Sequence, residues 1–104
     1  MFEFLKGIFK PKVDLTQVLE QGAVIVDVRT KEEYQAGHIN GSKNIPLDMI
    51  KNEIPALTKL NKPVVTVCRS GNRSGIAKSI LAAAGIQAYN GGAWTNLKDK
   101  YKSI

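Results

Sequence analysis

Cysteine and histidine are nearly absent from this chain of 104 residues, which has one of each. A single cysteine excludes a disulfide within the chain and suits a reducing compartment, so we expect a cytoplasmic protein. One histidine argues against a metal site built from protein ligands alone, and we expect no metal and no cofactor. Cys68 is therefore either a small residue of the core or a nucleophile.

Long apolar segments are also missing, since no run approaches the length of a transmembrane helix. At the N-terminus, charged residues and a glycine interrupt the apolar side chains, and no signal-peptide cleavage site follows. These residues could form a short helix on a membrane surface. We expect no membrane contact, because so short a helix is marginal alone. We interpret residues 1–12 as an arm that packs on one domain, residues 13–104.

Acidic residues are outnumbered, with 9 aspartates and glutamates against 15 lysines and arginines, which leaves a net charge of +6. The lysines are scattered along the chain, and few aromatic residues lie among them. This pattern indicates a solvated basic surface rather than a nucleic-acid-binding stripe, so we expect no nucleic-acid partner. A positive field still attracts small anions and acidic proteins, and it is compatible with an anionic substrate.

Apolar strands alternate with helical segments along the rest of the chain. The predicted strands are 23–28, a short strand within 39–45, 64–67 and 86–89. The predicted helices are 15–21, 31–36, 47–60, 74–84 and 93–101. This alternation predicts an α/β domain with a parallel sheet and helices on both faces.

Local signals mark several of these boundaries. Asp14 is a predicted N-cap, and Thr30 and Glu33 have the spacing of a capping box. Pro55 must interrupt the helix in which it lies, because its ring is incompatible with a helix interior. The residues Asn90-Gly91-Gly92 predict a turn before the last helix.

The segment after the strand at 64–67 carries the clearest chemical signal. A strand, a polar loop and a helix N-terminus form a cradle whose backbone N–H groups point toward Cys68. The helix dipole and the cations Arg69 and Arg73 favour the thiolate, which is the reactive form of cysteine. We therefore interpret Cys68 as a nucleophile and expect at least one arginine to bind an oxyanion. Asp27 ends the first predicted strand and should face the same rim of the sheet.

Three motifs, in this order, resemble those of single-domain rhodaneses, a family of thiosulfate or persulfide sulfurtransferases. The first motif is Val26-Asp27-Val28-Arg29 with Glu33-Tyr34, Gly37-His38-Ile39-Asn40-Gly41-Ser42 and Asn44-Ile45-Pro46. The second is Cys68-Arg69-Ser70-Gly71-Asn72-Arg73-Ser74, and the third is Gly91-Gly92 with Trp94. The resemblance covers about residues 14–97, and it implies a three-layer rhodanese-like fold with about five parallel strands.

The resemblance also implies a function for the loop. Cys68 would take a sulfane sulfur from a small anionic donor, such as thiosulfate or a persulfide, and hold it as a persulfide. Arg69 and Arg73 would hold the donor. The remaining residues of the cradle would be Ser70, Gly71, Asn72 and Ser74.

Supporting residues and the sulfur acceptor follow from the same resemblance. Asp27 and Arg29 would brace the loop electrostatically, and His38 would tie down a turn rather than act as a base. The chain has no second thiol to receive the sulfur. The acceptor must therefore be external, namely cyanide, a small thiol or a cysteine of a partner protein.

Two other functions stay open at this point. Cysteine phosphatases and arsenate reductase-like enzymes of the same fold bind their anion in a loop of cysteine, five residues and arginine. Here four residues separate Cys68 from Arg73, and Val67 stands where those phosphatases carry a histidine. A shorter loop encloses a smaller pocket, which suits a sulfur atom better than a tetrahedral phosphate. The other alternative is a sulfur carrier or regulatory binding module, against which the complete loop and its cysteine argue.

Overall fold

A computed structural model of the protein describes residues 14–102. The N-terminal arm predicted for residues 1–12 lies outside the described residues. The elements are, in chain order, α1 (Leu15–Glu20), β1 (Val24–Asp27), α2 (Lys31–Ala36), β2 (Lys43–Asn44), a 3-10 helix (Leu47–Glu53), α3 (Ile54–Leu60), β3 (Val64–Cys68), α4 (Asn72–Ala83), β4 (Ala88–Ala93) and α5 (Trp94–Lys102).

The four strands of the described residues form one parallel sheet in the order β2-β1-β3-β4. The predicted α/β fold with a parallel sheet is therefore confirmed. The resemblance implied about five strands, whereas residues 14–102 contain four. These four are the strands that the apolar pattern predicts, and β2 is only two residues long.

Helices cover both faces of the sheet because its central strands are apolar on both sides. Every residue of β3 is buried. On one face, Val26 of β1 packs in a cluster with Leu81 of α4, and on the other Ile25 packs with Leu19 of α1 and Leu97 of α5. Full burial of each such side chain stabilises the fold by roughly 1.5–3 kcal/mol. The two layers hold the carboxyl end of β3 between them.

Strand β4 differs from the prediction. The glycines expected in a turn lie within the strand, which runs to Ala93. A Cβ at Gly91 would come 2.9 Å from the Thr66 carbonyl oxygen and 2.8 Å from Val65 Cγ1. Gly91 therefore allows β4 to approach β3 closely, a role that glycine often has within strands. This approach brings Asn90 beside the loop that follows β3.

The predicted helix boundaries are confirmed where a side chain caps the helix. Asp14 accepts a hydrogen bond from the Thr16 N–H, and Thr30 and Glu33 form a reciprocal capping box. Helix α4 begins at Asn72, two residues before the predicted start. The reason is that Gly71 adopts a φ of 103°, which turns the chain into the helix without a side-chain cap.

Candidate active site

Cys68 is the last residue of β3, and the loop 69–71 connects it to α4. The adjacent strand β1 ends beside it, because Asp27 pairs with Val67 in the sheet. Both strand ends lie at the carboxyl rim of the parallel sheet, as predicted. The Cys68 side chain is only 1% exposed.

Three polar groups surround the Cys68 sulfur. The Gly71 N–H donates to Sγ over 2.9 Å, and the Ser74 N–H donates over 3.4 Å. The Ser74 hydroxyl lies 3.3 Å from Sγ. The predicted cradle of backbone N–H groups is therefore formed by the turn at Gly71 and the first turn of α4.

These contacts act on the pKa of Cys68. Burial raises the pKa, but hydrogen bonds from the Ser74 hydroxyl and from the backbone N–H groups of Ser74, Gly71 and Ser70 lower it by more. The net result is a pKa below that of an ordinary thiol. A cysteine with this environment is more readily deprotonated, and its thiolate is the nucleophilic form.

The two arginines of the loop lie in different environments. Arg73 forms a two-pronged ion pair with Glu33 of α2, with N–O distances of 2.7 and 3.0 Å. Arg69 and its neighbour Ser70 are exposed beside Cys68. The Glu33 carboxylate, together with the charges of Cys68 and Asp27, raises the pKa of Arg73. The pairing of Arg73 with Glu33 therefore leaves Arg69 as the more accessible cation for an anionic substrate.

Asp27 and Arg29 form a buried ion pair with each other. Asp27 Oδ1 accepts from Arg29 Nε over 2.9 Å, and Asp27 Oδ2 accepts from Arg29 Nη2 over 2.7 Å. The same guanidinium donates to the Gly37 carbonyl oxygen over 2.7 Å and lies 4.6 Å from the centre of the Trp94 ring. These hydrogen bonds connect the end of β1 to the end of α2. The charge of Asp27 also helps to raise the pKa of Arg73 in the loop.

His38 occupies a structural position. Its Nδ1 lies 2.8 Å from the Tyr34 carbonyl oxygen, and because a carbonyl only accepts, this nitrogen carries a proton. The imidazole stacks on the Tyr34 ring with the ring centres 3.8 Å apart. This arrangement supports the interpretation that His38 ties down a turn.

Within residues 14–102, histidine, cysteine and acidic side chains form no group of three or more that could hold a metal ion. Over the same residues, every helix is too short or too polar to cross a bilayer.

The family model of the rhodanese-like domain matches residues 12–96 of the chain. The chain belongs to the rhodanese family. This rhodanese-like domain is similar to thiosulfate sulfurtransferase PspE of Escherichia coli (strain K12), with 43% identity over 61 residues, which cover 58% of this chain and 59% of PspE. It is also 41% identical to thiosulfate sulfurtransferase GlpE of Pseudomonas fluorescens (strain SBW25) over 66 residues, 64% of this chain and 60% of GlpE. The matches span about three fifths of these curated relatives.

Solved structures agree with this assignment. A rhodanese with anions from E. coli has 37% sequence identity and a TM-score of 0.65, over 71% of this chain and 89% of that one. The human single-domain sulfurtransferase TSTD1 has 30% identity and a TM-score of 0.66, over 83% of this chain and 90% of its own. The fold and the family predicted from the three motifs are therefore confirmed.

Two residues that complete the site of this rhodanese-like domain were not predicted as site residues. Glu33 was assigned to a helix cap and to the first motif, and Asn90 only to a turn. In the structure Glu33 also pairs with Arg73, and Asn90 bonds to Ser74. Both contacts join distant parts of the chain, so local spacing contains no signal for them.

The Glu33–Arg73 pair predicts a pH-dependent contribution to stability. Hydrogen bonding to Arg73 lowers the pKa of Glu33 from 4.5 to about 2. Because the folded pKa is the lower one, the contribution is complete above pH 4.5 and is lost as the pH falls toward 2. Each side chain is about a third exposed, so solvent screening limits the contribution to about 1 kcal/mol or less.

Urea unfolding of Glu33→Gln and wild type at several pH values measures this effect. Glutamine can keep the capping box through its remaining oxygen, so the substitution removes the charge and one of the two acceptors of Arg73. We expect the difference in unfolding free energy to be largest near neutral pH and to vanish near pH 2. An equal difference in unfolding free energy near neutral pH and near pH 2 would contradict the ion-pair explanation. Glu32→Gln, at the exposed neighbouring position, controls for a lost negative charge on α2.

Proposed function

We propose that this domain is a sulfurtransferase that moves a sulfane sulfur from thiosulfate or a persulfide donor to a thiol or cyanide acceptor. The observation that carries the proposal is the environment of the lone cysteine. Cys68 is the last residue of a central strand, and its sulfur accepts hydrogen bonds from the Gly71 and Ser74 N–H groups. Preorganised N–H donors of this kind stabilise a negative charge on the sulfur.

The proposed reaction has two displacement steps at sulfur. The Cys68 thiolate attacks the outer sulfur of thiosulfate, a new S–S bond forms, and the original S–S bond breaks with its electron pair leaving on sulfite. An acceptor thiolate then attacks the outer sulfur of the Cys68 persulfide. This step gives a persulfide on the acceptor and returns Cys68 to its thiolate, so the cycle is of the ping-pong type.

The loop residues have complementary roles in this proposal. The backbone N–H groups stabilise first the thiolate and then the charged persulfide, with Ser70, Gly71, Asn72 and Ser74 forming the cradle. We assign contact with the donor's anionic group to Arg69, which is exposed beside Cys68. Arg73 adds positive charge while its guanidinium stays on Glu33.

The acceptor in this proposal comes from outside the chain. Cys68 is the only cysteine of the 104 residues, so no other thiol in the chain can take up the sulfur. A small thiol or a cysteine of a partner protein would serve as the acceptor, in the reducing compartment that a lone thiol suits. The net charge of +6 would favour the approach of anionic donors and acidic partners.

Mass spectrometry after incubation with thiosulfate tests the central step. We expect the protein to gain one sulfur atom, mapped to Cys68, and to lose it when cyanide is added. A sample whose cysteine has been alkylated beforehand is the control.

In parallel, thiosulfate:cyanide transfer is compared with hydrolysis of p-nitrophenyl phosphate. Turnover of the phosphate ester without sulfur loading would assign the site to a phosphatase, and neither activity would point to a binding module. Either result would overturn the proposal.

A further inference from the structure

Asn90, on β4, connects the two groups that contact the Cys68 sulfur. Its Oδ1 lies 2.7 Å from the Ser74 hydroxyl, and its Nδ2 lies 3.1 Å from the Gly71 carbonyl oxygen. The Gly92 N–H also donates to Oδ1, over 2.9 Å. A single side-chain amide thus bonds to Gly71, whose N–H contacts Sγ, and to Ser74, which contacts Sγ through its N–H and its hydroxyl.

The orientation of this amide follows from its neighbours. The Gly92 N–H can only donate, so the Asn90 atom facing it is the oxygen. The Gly71 carbonyl can only accept, so the atom facing it is the nitrogen. Because the Asn90 oxygen only accepts, the Ser74 hydroxyl must direct its single proton toward Asn90.

This assignment determines the bond between Ser74 and Cys68. With its proton directed to Asn90, the Ser74 oxygen can act only as an acceptor toward Sγ, at 3.3 Å. This hydroxyl orientation suits a protonated Cys68, which can donate to Ser74 while Ser74 donates to Asn90. A thiolate in the same place would face the lone pairs of the Ser74 oxygen, and the hydroxyl would have to turn to donate to it.

We propose that Asn90 is a positioning residue for the proposed sulfur transfer, holding Ser74 and Gly71 against Cys68 and allowing the Ser74 hydroxyl to turn between two acceptors. When the hydroxyl turns toward the sulfur, the Asn90 oxygen keeps its hydrogen bond from the Gly92 N–H. The Asn90 oxygen then loses one of its two donors and faces the Ser74 oxygen at 2.7 Å, so the new hydrogen bond to the thiolate must offset this loss. The contact with Gly71 meanwhile keeps its N–H aimed at the sulfur in both states.

The glycines around Asn90 are consistent with this role. Gly91 permits the close approach of β4 to β3, which places the amide next to the loop. A Cβ at Gly75 of α4 would lie 3.2 Å from Asn90 Nδ2, so the amide also packs against the first turns of the helix. The side chain therefore contacts both the loop and α4, while Asn90 itself is exposed.

The pKa of Cys68, measured from the ultraviolet absorbance of the thiolate, tests the proposal in the absence of any donor. The single cysteine gives this signal one source. We expect Asn90→Ala to raise the pKa by about 0.5–1 pH unit, because the Ser74 hydroxyl and the Gly71 N–H lose their alignment. Asn90→Asp should raise it further, because a carboxylate retains the Ser74 proton more strongly and adds a negative charge near the sulfur.

A double-mutant cycle with Ser74→Ala separates positioning from a general structural effect. If Asn90 acts largely through Ser74, Asn90→Ala will raise the pKa less in the Ser74→Ala background than in wild type. Asn96→Ala, at an exposed position on α5, is the matched control and should leave the pKa unchanged. Asn90→Asp, which is nearly isosteric, keeps the test available if the alanine variant does not fold.

Three results would overturn the proposal. They are an unchanged pKa in both Asn90 variants, a lowered pKa in Asn90→Ala, and additive effects of the Asn90 and Ser74 substitutions. A lowered pKa would mean that Asn90 chiefly competes with the thiolate for the Ser74 proton. Because the measurement needs neither donor nor acceptor, its failure would leave the proposed sulfur transfer untouched.

Discussion

If the proposed mechanism holds, we expect replacement of Cys68 by serine to abolish sulfur loading and to lower the rate of thiosulfate:cyanide transfer by at least about a thousandfold. A serine hydroxyl is not ionised near neutral pH, and its oxygen forms no persulfide. The chain has no other thiol that could substitute. Mass spectrometry after thiosulfate treatment and the transfer assay both measure the loss.

The fold should survive this substitution, which makes the result interpretable. Serine is close to cysteine in size, and its oxygen can accept the Gly71 and Ser74 N–H bonds that Sγ accepts now. We expect the free energy of unfolding to change by about 1 kcal/mol. Cys68→Ala is the matched comparison and should be less stable than the serine variant, because these N–H groups lose their acceptor. Sulfur loading in either variant would disprove the proposed mechanism.

Much of the fold was predictable because its signals are local. The cap at Asp14 and the box of Thr30 and Glu33 depend on residues two or three positions apart, and the structure contains both. The buried strand before Cys68 is visible as a run of β-branched residues, Val64-Val65-Thr66-Val67. Such features need no knowledge of the tertiary arrangement.

The contacts that complete the site could not be predicted in the same way. Glu33 and Arg73 are 40 positions apart, and Asn90 and Ser74 are 16 apart. They meet only because α2 and β4 flank the loop after the sheet has formed. The glycines beside Asn90 predicted a turn from composition, whereas the close packing of Gly91 on β3 keeps them in a strand. Tertiary packing therefore overrides local turn propensity at this position.

Replacing Asp27 by alanine destabilises the fold by about 3–5 kcal/mol, because it leaves the buried Arg29 guanidinium without its counter-ion. Asp27 is fully buried, and Arg29 is 4% exposed. After the substitution Arg29 retains the Gly37 carbonyl and the face of Trp94, which are weaker partners for a buried charge. Urea unfolding at neutral pH measures the loss of unfolding free energy.

Glu33→Gln provides an internal comparison. The Glu33–Arg73 pair is also a carboxylate–guanidinium pair, but each of its side chains is about a third exposed. Solvent screens this pair, so its loss should cost about 1 kcal/mol or less. Asp27→Asn keeps an acceptor for Arg29 but not the charge and should fall between the two, which keeps the comparison measurable if the alanine variant does not fold. If Asp27→Ala costs no more than Glu33→Gln, burial does not make the Asp27–Arg29 pair indispensable. The ends of β1 and α2 would then be held together mainly by apolar packing.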